Sequence, residues 1–395
     1  MKILFSLTYY HPYSSGLTLY VKRLAEELHL KGYRTSVISC QYNSNLKTSE
    51  VIKGIKIVRT KPLLKISKGF ISIDWLIKSF IEVKKADIVI ISLPQAEGFI
   101  PALFARIFGK KVIAIYHCEV KLADALINRM VETLLHLANI ISLFLSQRVI
   151  TYTKDYADNS FILRLFKSKL LFVYPPVLLL GRSSSHERAA LSWLDLNLAK
   201  ETIKIGFAGR IAAEKGIEYL FDALPQIKFK YQNSNIKINP KSKIKKIQIV
   251  IAGSLDPVGE EQYKQKILDL VKKYQEDIIF LGELTQNEMA AFYSLLDVLV
   301  LPSINSTESF GMVQVEAMLS GVPVVASDLP GVRIPIQKTG MGEIVPIKNS
   351  QKLSEAIVRI LLNKEKYIKS KEFVKKEFAI EKTLQFYEKL FHESS

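Results

Sequence analysis

Short apolar runs alternate with amphipathic stretches through the first half of the chain. The amphipathic stretches have helical spacing, as in residues 19–31, where Leu24, Leu28 and Leu30 recur among charged residues. Strands and helices that alternate in this way predict a parallel, doubly wound α/β sheet, which binds ligands at the carboxyl ends of its strands. The predicted strands of this half are 3–8, 35–39, 55–59, 88–92, 112–116 and 149–152.

The same alternation resumes after an irregular, polar segment. Residues 174–185 hold two adjacent prolines and then Gly-Arg-Ser-Ser-Ser, a composition typical of a linker. A new strand is predicted at 203–209 and a helix at 217–224. Because the chain has 395 residues, 48% of them hydrophobic, each half can bury a core of its own. We therefore expect two domains.

The passage around residues 308–316 is the richest in candidate chemistry. It follows an apolar run, 297–302, that predicts a buried strand, and it leads into a helix that ends at Gly321. A helix N-terminus attracts anions, and Phe310-Gly311 lets the backbone approach a ligand closely. Glu308 and Glu316 lie either side and can accept hydrogen bonds from hydroxyl groups. This combination suits a nucleotide sugar, which has a pyrophosphate between two hydroxylated ends.

The string 308–316, with Phe310-Gly311 and the following 321–328, resembles the retaining glycosyltransferases of family 4. The resemblance implies the GT-B fold, in which two Rossmann-like, doubly wound domains face an inter-domain cleft. It places an acceptor-binding domain at 1–182, onto which a C-terminal helix at about 375–395 packs back. The domain that binds the nucleotide-sugar donor would then be 183–374.

Two cations follow the predicted strand 203–209. Arg210 and Lys215 at a strand's carboxyl end, beside a helix start, can neutralise a pyrophosphate. The resemblance assigns them to the donor phosphates, assigns Glu308 to the transferred sugar as a catalytic residue and assigns Glu316 to the ribose. The full set of implied donor contacts is Gly209, Arg210, Lys215, Leu281, Ser309, Phe310, Gly311, Met312, Val313 and Glu316.

In the first half, His117 follows the predicted strand 112–116 and should face the ligand crevice. A histidine there also commonly bonds a neighbouring loop. The resemblance favours a contact with the transferred sugar or acceptor and makes His117 the second catalytic candidate. Gly16, before a predicted helix, is a turn or part of an acceptor or phosphate loop. Ser15 stands where the family has the first glycine of a pair.

The resemblance implies a hexosyltransferase that retains anomeric configuration. It requires no metal and no cofactor, since the UDP- or GDP-sugar is its substrate. The acceptor would be a saccharide or a lipid-linked molecule in cell-surface polysaccharide or glycolipid synthesis. The alternatives are a sugar-nucleotide epimerase of the same fold, for which no convincing acid/base set is visible, and a non-catalytic anion- or nucleic-acid-binding protein.

The net charge of +17 is concentrated in the first half. Residues 1–186 hold 26 lysines and arginines against 12 acidic residues, and the remainder holds 29 against 26. A basic half suggests an anionic partner, such as an acidic lipid leaflet, although a lysine-rich composition explains it equally well. The lysines are not grouped with stacking aromatics, so we expect no nucleic acid as partner. Residues 228–246, with seven lysines, predict an extended basic loop or hairpin.

Two segments of the first half carry broad apolar faces. Residues 125–147 favour a core helix over one that dips into a membrane interface, and 66–81 is a second candidate for such contact. No apolar run is long enough for a transmembrane span, and the first residues do not form a signal peptide. With only Cys40 and Cys118, a cytoplasmic protein is expected, with peripheral attachment at the inner face of the membrane as an option.

Overall fold

The computed structural model describes residues 1–66, 69–121, 126–178, 202–234, 246–255 and 261–393. The chain divides into two compact units. Unit 1 comprises Met1–Pro176 with Ile380–Ser395, and unit 2 comprises Val177–Ala379. The predicted boundary at 182 and the greater part of the predicted linker lie outside the described residues.

Unit 1 contains an eight-stranded sheet in the order β10-β9-β8-β7-β1-β2-β4-β3. Its strands pair in parallel except β3, which is antiparallel to β4 at the edge. The crossover direction reverses between β1 and β7, as in doubly wound folds. Within the described residues, the strands of this unit, including the separate antiparallel pair β5 and β6, are β1 (Lys2–Ser6), β2 (Arg34–Cys40), β3 (Ser49–Ile52), β4 (Ile55–Thr60), β5 (Leu64–Ile66), β6 (Gly69–Ile71), β7 (Ile88–Leu93), β8 (Lys111–Tyr116), β9 (Arg148–Thr151) and β10 (Leu170–Phe172).

The helices of unit 1 cover both faces of this sheet. They are α1 (Gly16–Leu30), α2 (Ile73–Lys85), α3 (Phe99–Ile107), α4 (Leu126–Leu145), α5 (Lys154–Asn159), α6 (Phe161–Arg164) and, from the end of the chain, α15 (Ile380–His392). Helix α15 is joined to α1 by a bond between the Tyr20 and Tyr387 hydroxyls, 2.7 Å apart. The Thr383 hydroxyl also donates to the Tyr174 carbonyl at 3.0 Å. The C-terminal helix therefore completes the first core.

Unit 2 contains six parallel strands in the order β13-β12-β11-β14-β15-β16. Counted within the unit this is 3-2-1-4-5-6, the order of the dinucleotide-binding Rossmann fold, with its switch point between β11 and β14. The strands are β11 (Thr202–Ala208), β12 (Lys246–Ala252), β13 (Ile278–Gly282), β14 (Val298–Leu301), β15 (Val324–Ser327) and β16 (Gly342–Val345).

Eight helices of unit 2 lie within the described residues. They are α7 (Ile217–Gln232), α8 (Glu261–Lys273), α9 (Gln286–Leu295), α10 (Met312–Leu319), α11 (Ile334–Thr339), α12 (Ser350–Leu362), α13 (Lys364–Tyr367) and α14 (Lys371–Phe378). Helix α9 begins with a complete capping box, in which Thr285 and Glu288 bond each other's backbone N–H groups. The two sheets confirm the doubly wound α/β prediction for both halves.

Two sequence predictions need correction. Helix α7 continues past Pro225 to Gln232, because Leu224 and Ile227 pack into the core, so the first residues of the predicted basic loop are helical. The remainder of that loop, 235–245, lies outside the described residues. Helix α4 is not a core helix all round. Leu143 is buried, but Leu134 and Phe144 are exposed, because only one side of α4 meets the sheet and α3.

Candidate active site

Three glycines line the carboxyl ends of the first strands of unit 2. Gly209 follows β11, Gly253 follows β12, and Gly282 is the last residue of β13. The Gly253 N–H donates to the Gly282 carbonyl at 2.8 Å. A Cβ at Gly253 would lie 1.9 Å from the Gly209 carbonyl oxygen, so the two loops fit only without side chains. A Cβ at Gly209 would lie 3.9 Å from the Lys215 side chain and the Phe207 ring, which is ordinary contact, but the φ of +150° favours glycine there.

An ion pair joins the two strands at the switch point. The Lys215 ammonium, in the turn after β11, lies 2.5 Å from the Glu308 carboxylate in the loop after β14. Both side chains are largely buried. The loops are also joined through their backbones, because the Ile304 N–H donates to the Glu214 carbonyl at 3.0 Å. Glu214 in turn binds Arg210 at 3.2 Å. The fold thus brings Arg210, Lys215 and Glu308 to one edge.

The loop before α10 is held by a buried glutamine. The Gln314 amide donates to the Phe310 carbonyl at 2.8 Å and to the Val332 carbonyl at 2.9 Å. Gly311 adopts a φ of +75°, and a Cβ there would meet Leu301 at 2.4 Å. The Phe310 ring is buried against Phe378, so only its backbone can serve a ligand. This arrangement fixes the direction of α10 and so the position of the positive end of its dipole, which lies at the N-terminus.

Glu316 lies in the second turn of α10 and is almost fully buried. The Tyr293 hydroxyl of α9 donates to its carboxylate at 2.8 Å. This bond orients the carboxylate, and sequence reasoning missed Tyr293 because only the fold brings α9 beside α10. The other implied donor contacts lie at the same edge. Met312 and Val313 form the first turn of α10, Ser309 is buried in the preceding loop, and Leu281 is half-buried in β13.

In unit 1, His117 directly follows β8, as predicted, but it is 2% exposed. Its Nδ1 lies 2.5 Å from the Tyr152 hydroxyl at the end of β9. The Tyr20 ring packs edge-on against the imidazole, and burial lowers the pKa of His117 to about 3. The imidazole is therefore neutral near pH 7 and can offer hydrogen bonds without a charge.

Ser15 and Gly16 open α1. The Ser15 hydroxyl accepts from the Thr18 N–H at 3.2 Å and so caps the helix, while Gly16 is its exposed first residue. The serine that departs from the family's glycine pair thus has a structural role here.

The carboxyl edge of the sheet of unit 1 holds another polar cluster, which was absent from the sequence predictions. The Ser6 hydroxyl donates to Gln95 at 3.0 Å, and the Gln95 N–H donates to Asn139 at 3.1 Å. Beside it, burial raises the pKa of Glu97 to about 7, which the Thr8 hydroxyl offsets only in part. The available signal was Gln95-Ala96-Glu97 directly after β7, where a doubly wound sheet presents its ligand groups.

Comparison with known proteins agrees with this geometry. Residues 195–377, which hold every candidate of the second sheet, match the family described as glycosyl transferases group 1. The likeness to the group 1 glycosyl transferases thus covers the part of the chain that carries these candidates. Members of that family transfer glycosyl groups, and the resemblance noted at residues 308–328 is confirmed.

Two curated relatives show how far the likeness extends. The phosphatidyl-myo-inositol mannosyltransferase of Mycobacterium leprae is 36% identical over 166 residues, which is 41% of this chain and 39% of that enzyme. The chain thus matches well under half of that relative's length. An uncharacterized glycosyltransferase of Methanocaldococcus jannaschii is 26% identical over 364 residues, covering 88% of this chain and 85% of that protein.

The solved structures establish the fold over the whole chain. Anabaena HepE, determined in complex with UDP and glucose, superposes with a TM-score of 0.74 at 17% identity and 99% coverage of both chains. The fold is GT-B, with two Rossmann-like domains, as the sequence predicted. None of the described helices is both long and apolar enough to cross a bilayer.

Proposed function

We propose that this glycosyl transferase moves a hexose from a UDP- or GDP-sugar to a saccharide or lipid-linked acceptor with retention of anomeric configuration. The observation that carries the proposal is the Lys215–Glu308 ion pair at the β11/β14 switch point, with Arg210 beside it. Doubly wound sheets bind their ligands at this point. Anabaena HepE, which shares the fold, was determined with UDP-glucose.

The donor diphosphate would bind between the turn after β11 and the start of α10. Negative charge grows on the diphosphate as the glycosidic bond breaks, and Arg210, Lys215 and the α10 N-terminus lower the energy of that charge. We propose that these groups act without a metal ion or cofactor. Because Gly209 has no side chain, the phosphates could approach the backbone closely at that point, beside Lys215.

Glu308 would bind the hydroxyls of the transferred sugar near the reacting carbon. Its carboxylate is already held by Lys215, so we assign it an orienting and electrostatic role beside the oxocarbenium-like sugar. No protein nucleophile is assigned. A donor phosphate oxygen would take the acceptor proton as the acceptor attacks from the leaving-group side. Glu316, oriented by Tyr293, would accept hydrogen bonds from the ribose.

His117 would add a neutral imidazole on the side of the first sheet. Because burial keeps it uncharged, it can bond a sugar hydroxyl without repelling the positive charge that develops on the sugar. The polar cluster at Gln95 and the loop at Ser15-Gly16 lie at the corresponding edge and suit a neutral, hydroxylated acceptor.

We place the reaction in cell-surface polysaccharide or glycolipid synthesis, at the cytoplasmic side of the membrane. A lipopolysaccharide 1,2-N-acetylglucosaminetransferase of Salmonella typhimurium, 35% identical over 142 residues, supports this placement. The mycobacterial relative bears the name of a phosphatidyl-myo-inositol mannosyltransferase, which is consistent with a lipid-linked acceptor.

Thermal-shift measurements against a panel of UDP- and GDP-sugars, with and without EDTA, test the donor site. A donor that binds the native protein raises the melting temperature by mass action. We expect one nucleotide class to give a shift that EDTA leaves unchanged and that Lys215→Ala removes. A shift that disappears with EDTA would contradict metal independence, and the absence of any shift would contradict the donor assignment.

A further inference from the structure

Two helices of unit 1 present long apolar stripes to solvent. On α4 the stripe recurs at alternating spacings of four and three residues, and its members are between 47% and 73% exposed. On α2 the corresponding side chains are between 43% and 65% exposed. We call these side chains, with two from α3, the α2–α4 face. Its members are Ile73, Leu76, Ile77, Phe80, Ile81, Leu103, Ile107, Met130, Leu134, Leu137, Ile141 and Phe144.

The three helices form one continuous surface. Helix α3 packs between α2 and α4. The Phe80 ring of α2 contacts Phe104 of α3, with ring centres 5.4 Å apart. The inner sides of all three helices, represented by Trp75, Ala102 and Leu143, join one core cluster. Since these inner sides meet the same face of the sheet, the opposite sides point away from it together.

This exposure is unusual for a water-exposed surface. An amphipathic helix normally turns its apolar stripe toward the core and its charges outward. Here α2 and α4 bury one apolar side and expose a second. Contiguous apolar patches of this kind mark interaction sites, because isolated exposed leucines are common but long stripes are not.

Exposed basic side chains lie on the same three helices as the α2–α4 face. Lys84 is near the end of α2, Arg106 lies on α3, and Arg129 is in the first turn of α4; all three are exposed. Lys169 donates to the Phe144 carbonyl at 2.7 Å, which places a further cation at the end of the α4 stripe. The acidic groups of α2 are neutralised locally, since Asp74 pairs with Lys78 and Glu82 with Lys85.

We infer that the α2–α4 face docks unit 1 onto the surface of a bilayer that contains anionic lipid, with α2 and α4 lying in the interface. The Leu, Ile and Phe side chains would enter the acyl boundary, and the surrounding lysines and arginines would contact lipid phosphates. An apolar surface with a basic rim is complementary to this partner in both respects.

The charge argues against a second copy of the chain as the occupant. A symmetric dimer through this face would bring two basic rims together, in a half of the chain that holds 26 lysines and arginines against 12 acidic residues. Like charges opposed across an interface oppose association. An anionic surface turns the same charges into an attraction.

The inference deepens the proposed function, because docking would bring the enzyme beside a lipid-linked acceptor. It rests on the proposed function only for this benefit. Docking itself is measured without donor or acceptor. Failure to bind vesicles therefore leaves the donor shift intact, and failure of the donor shift leaves vesicle binding intact.

The test is flotation of the full chain with phosphatidylcholine vesicles, with and without phosphatidylglycerol. We expect binding to the anionic vesicles that weakens as salt is raised. The double variant Leu134→Glu/Ile141→Glu should lower the vesicle partition coefficient at least about tenfold, because two large apolar side chains leave the interface. Both positions are exposed, so the melting temperature should stay at the wild-type value.

Leu30→Glu is the matched control, since Leu30 is 78% exposed at the end of α1, outside the α2–α4 face. It should bind vesicles like the wild type. Lys84→Gln/Arg106→Gln should weaken binding to anionic vesicles only. The inference is overturned if the wild type stays in the bottom fraction at low salt, or if Leu134→Glu/Ile141→Glu binds as well as Leu30→Glu. A concentration-dependent dimer that the double variant abolishes would assign the face to a second copy instead.

Discussion

The two sheets share one doubly wound architecture, but the side chains at their carboxyl edges differ in charge. In unit 2 the edge holds ion-paired side chains, Lys215 with Glu308 and Arg210 with Glu214, among glycine-rich loops. In unit 1 the corresponding edge holds His117, made neutral by burial, and Glu97, whose pKa burial raises to about 7. The same doubly wound architecture thus carries ion-paired side chains at one edge and buried, hydrogen-bonding side chains at the other. Side chains at strand ends, and not the fold, decide the ligand.

Of the variants that test this contrast, removal of the Lys215 side chain should have the largest effect, and the effect should be on the transfer rate. Lys215→Ala should lower kcat/KM about 10²- to 10³-fold, because under the proposed function it removes a charge that would stabilise the leaving diphosphate. Steady-state transfer rates measure this. Lys228→Ala is the control, since Lys228 pairs with Asp277 at 2.6 Å elsewhere in the same unit. Lys215→Ala also leaves the Glu308 carboxylate without its ion-pair partner and should therefore lower stability. The double variant Lys215→Ala/Glu308→Gln should recover that stability but not the activity. Equal losses for Lys215→Ala and Lys228→Ala would contradict the assignment.

The glycine edge of unit 2 should be the next most sensitive. Gly253→Ala should destabilise the protein by roughly 3 kcal/mol, because the new Cβ collides with the Gly209 carbonyl and the φ of +148° disfavours a side chain. Gly282→Ala, with a φ of +74° but open space, should cost only about 1 kcal/mol. Urea unfolding compares the two. Similar losses would show that backbone strain, and not the collision, dominates.

Tyr293→Phe should weaken donor binding by about 1 kcal/mol, because the Glu316 carboxylate loses the hydroxyl that orients it. Titration calorimetry with the nucleotide measures the change. Tyr367→Phe removes a similar hydroxyl, 2.6 Å from Glu343 near β16, and should leave donor affinity unchanged. If both variants bind donor like the wild type, Glu316 does not depend on Tyr293 for its role.

The last comparison concerns pH, where two buried groups of unit 1 act with opposite signs. Because the folded pKa of His117 falls from 6.5 to about 3, its contribution to stability is lost as pH falls below 6.5. Because the folded pKa of Glu97 rises from 4.5 to about 7, its contribution is lost as pH rises from 4.5 through 7. Relative to wild type, His117→Gln should therefore raise the free energy of unfolding at acidic pH more than at neutral pH. Glu97→Gln should raise it more at neutral pH than at acidic pH. Urea unfolding at acidic and at neutral pH measures these differences. If both variants change the free energy of unfolding with pH in the same direction, the prediction is contradicted.

Much of the fold was predictable because its signals are local. Each strand predicted in the first half is present within a residue or two, since short apolar runs bounded by turns form buried parallel strands. The strands β3, β5, β6 and β10 were missed, because three or four residues are too few to show a periodic pattern. Helix α7 was cut short at Pro225, where tertiary burial overrode a local helix-breaking signal.

The candidate site divides in the same way. The sequence by itself determined that Glu308, Phe310-Gly311 and Glu316 share a strand–loop–helix passage, because they are neighbours in the chain. Only the tertiary structure decided that Lys215 meets Glu308, 93 residues away, since this depends on β11 and β14 being adjacent strands. It also decided that Tyr293 orients Glu316 and that one apolar side of α4 faces solvent. Helical periodicity predicts that a face is apolar, but what covers that face depends on long-range packing.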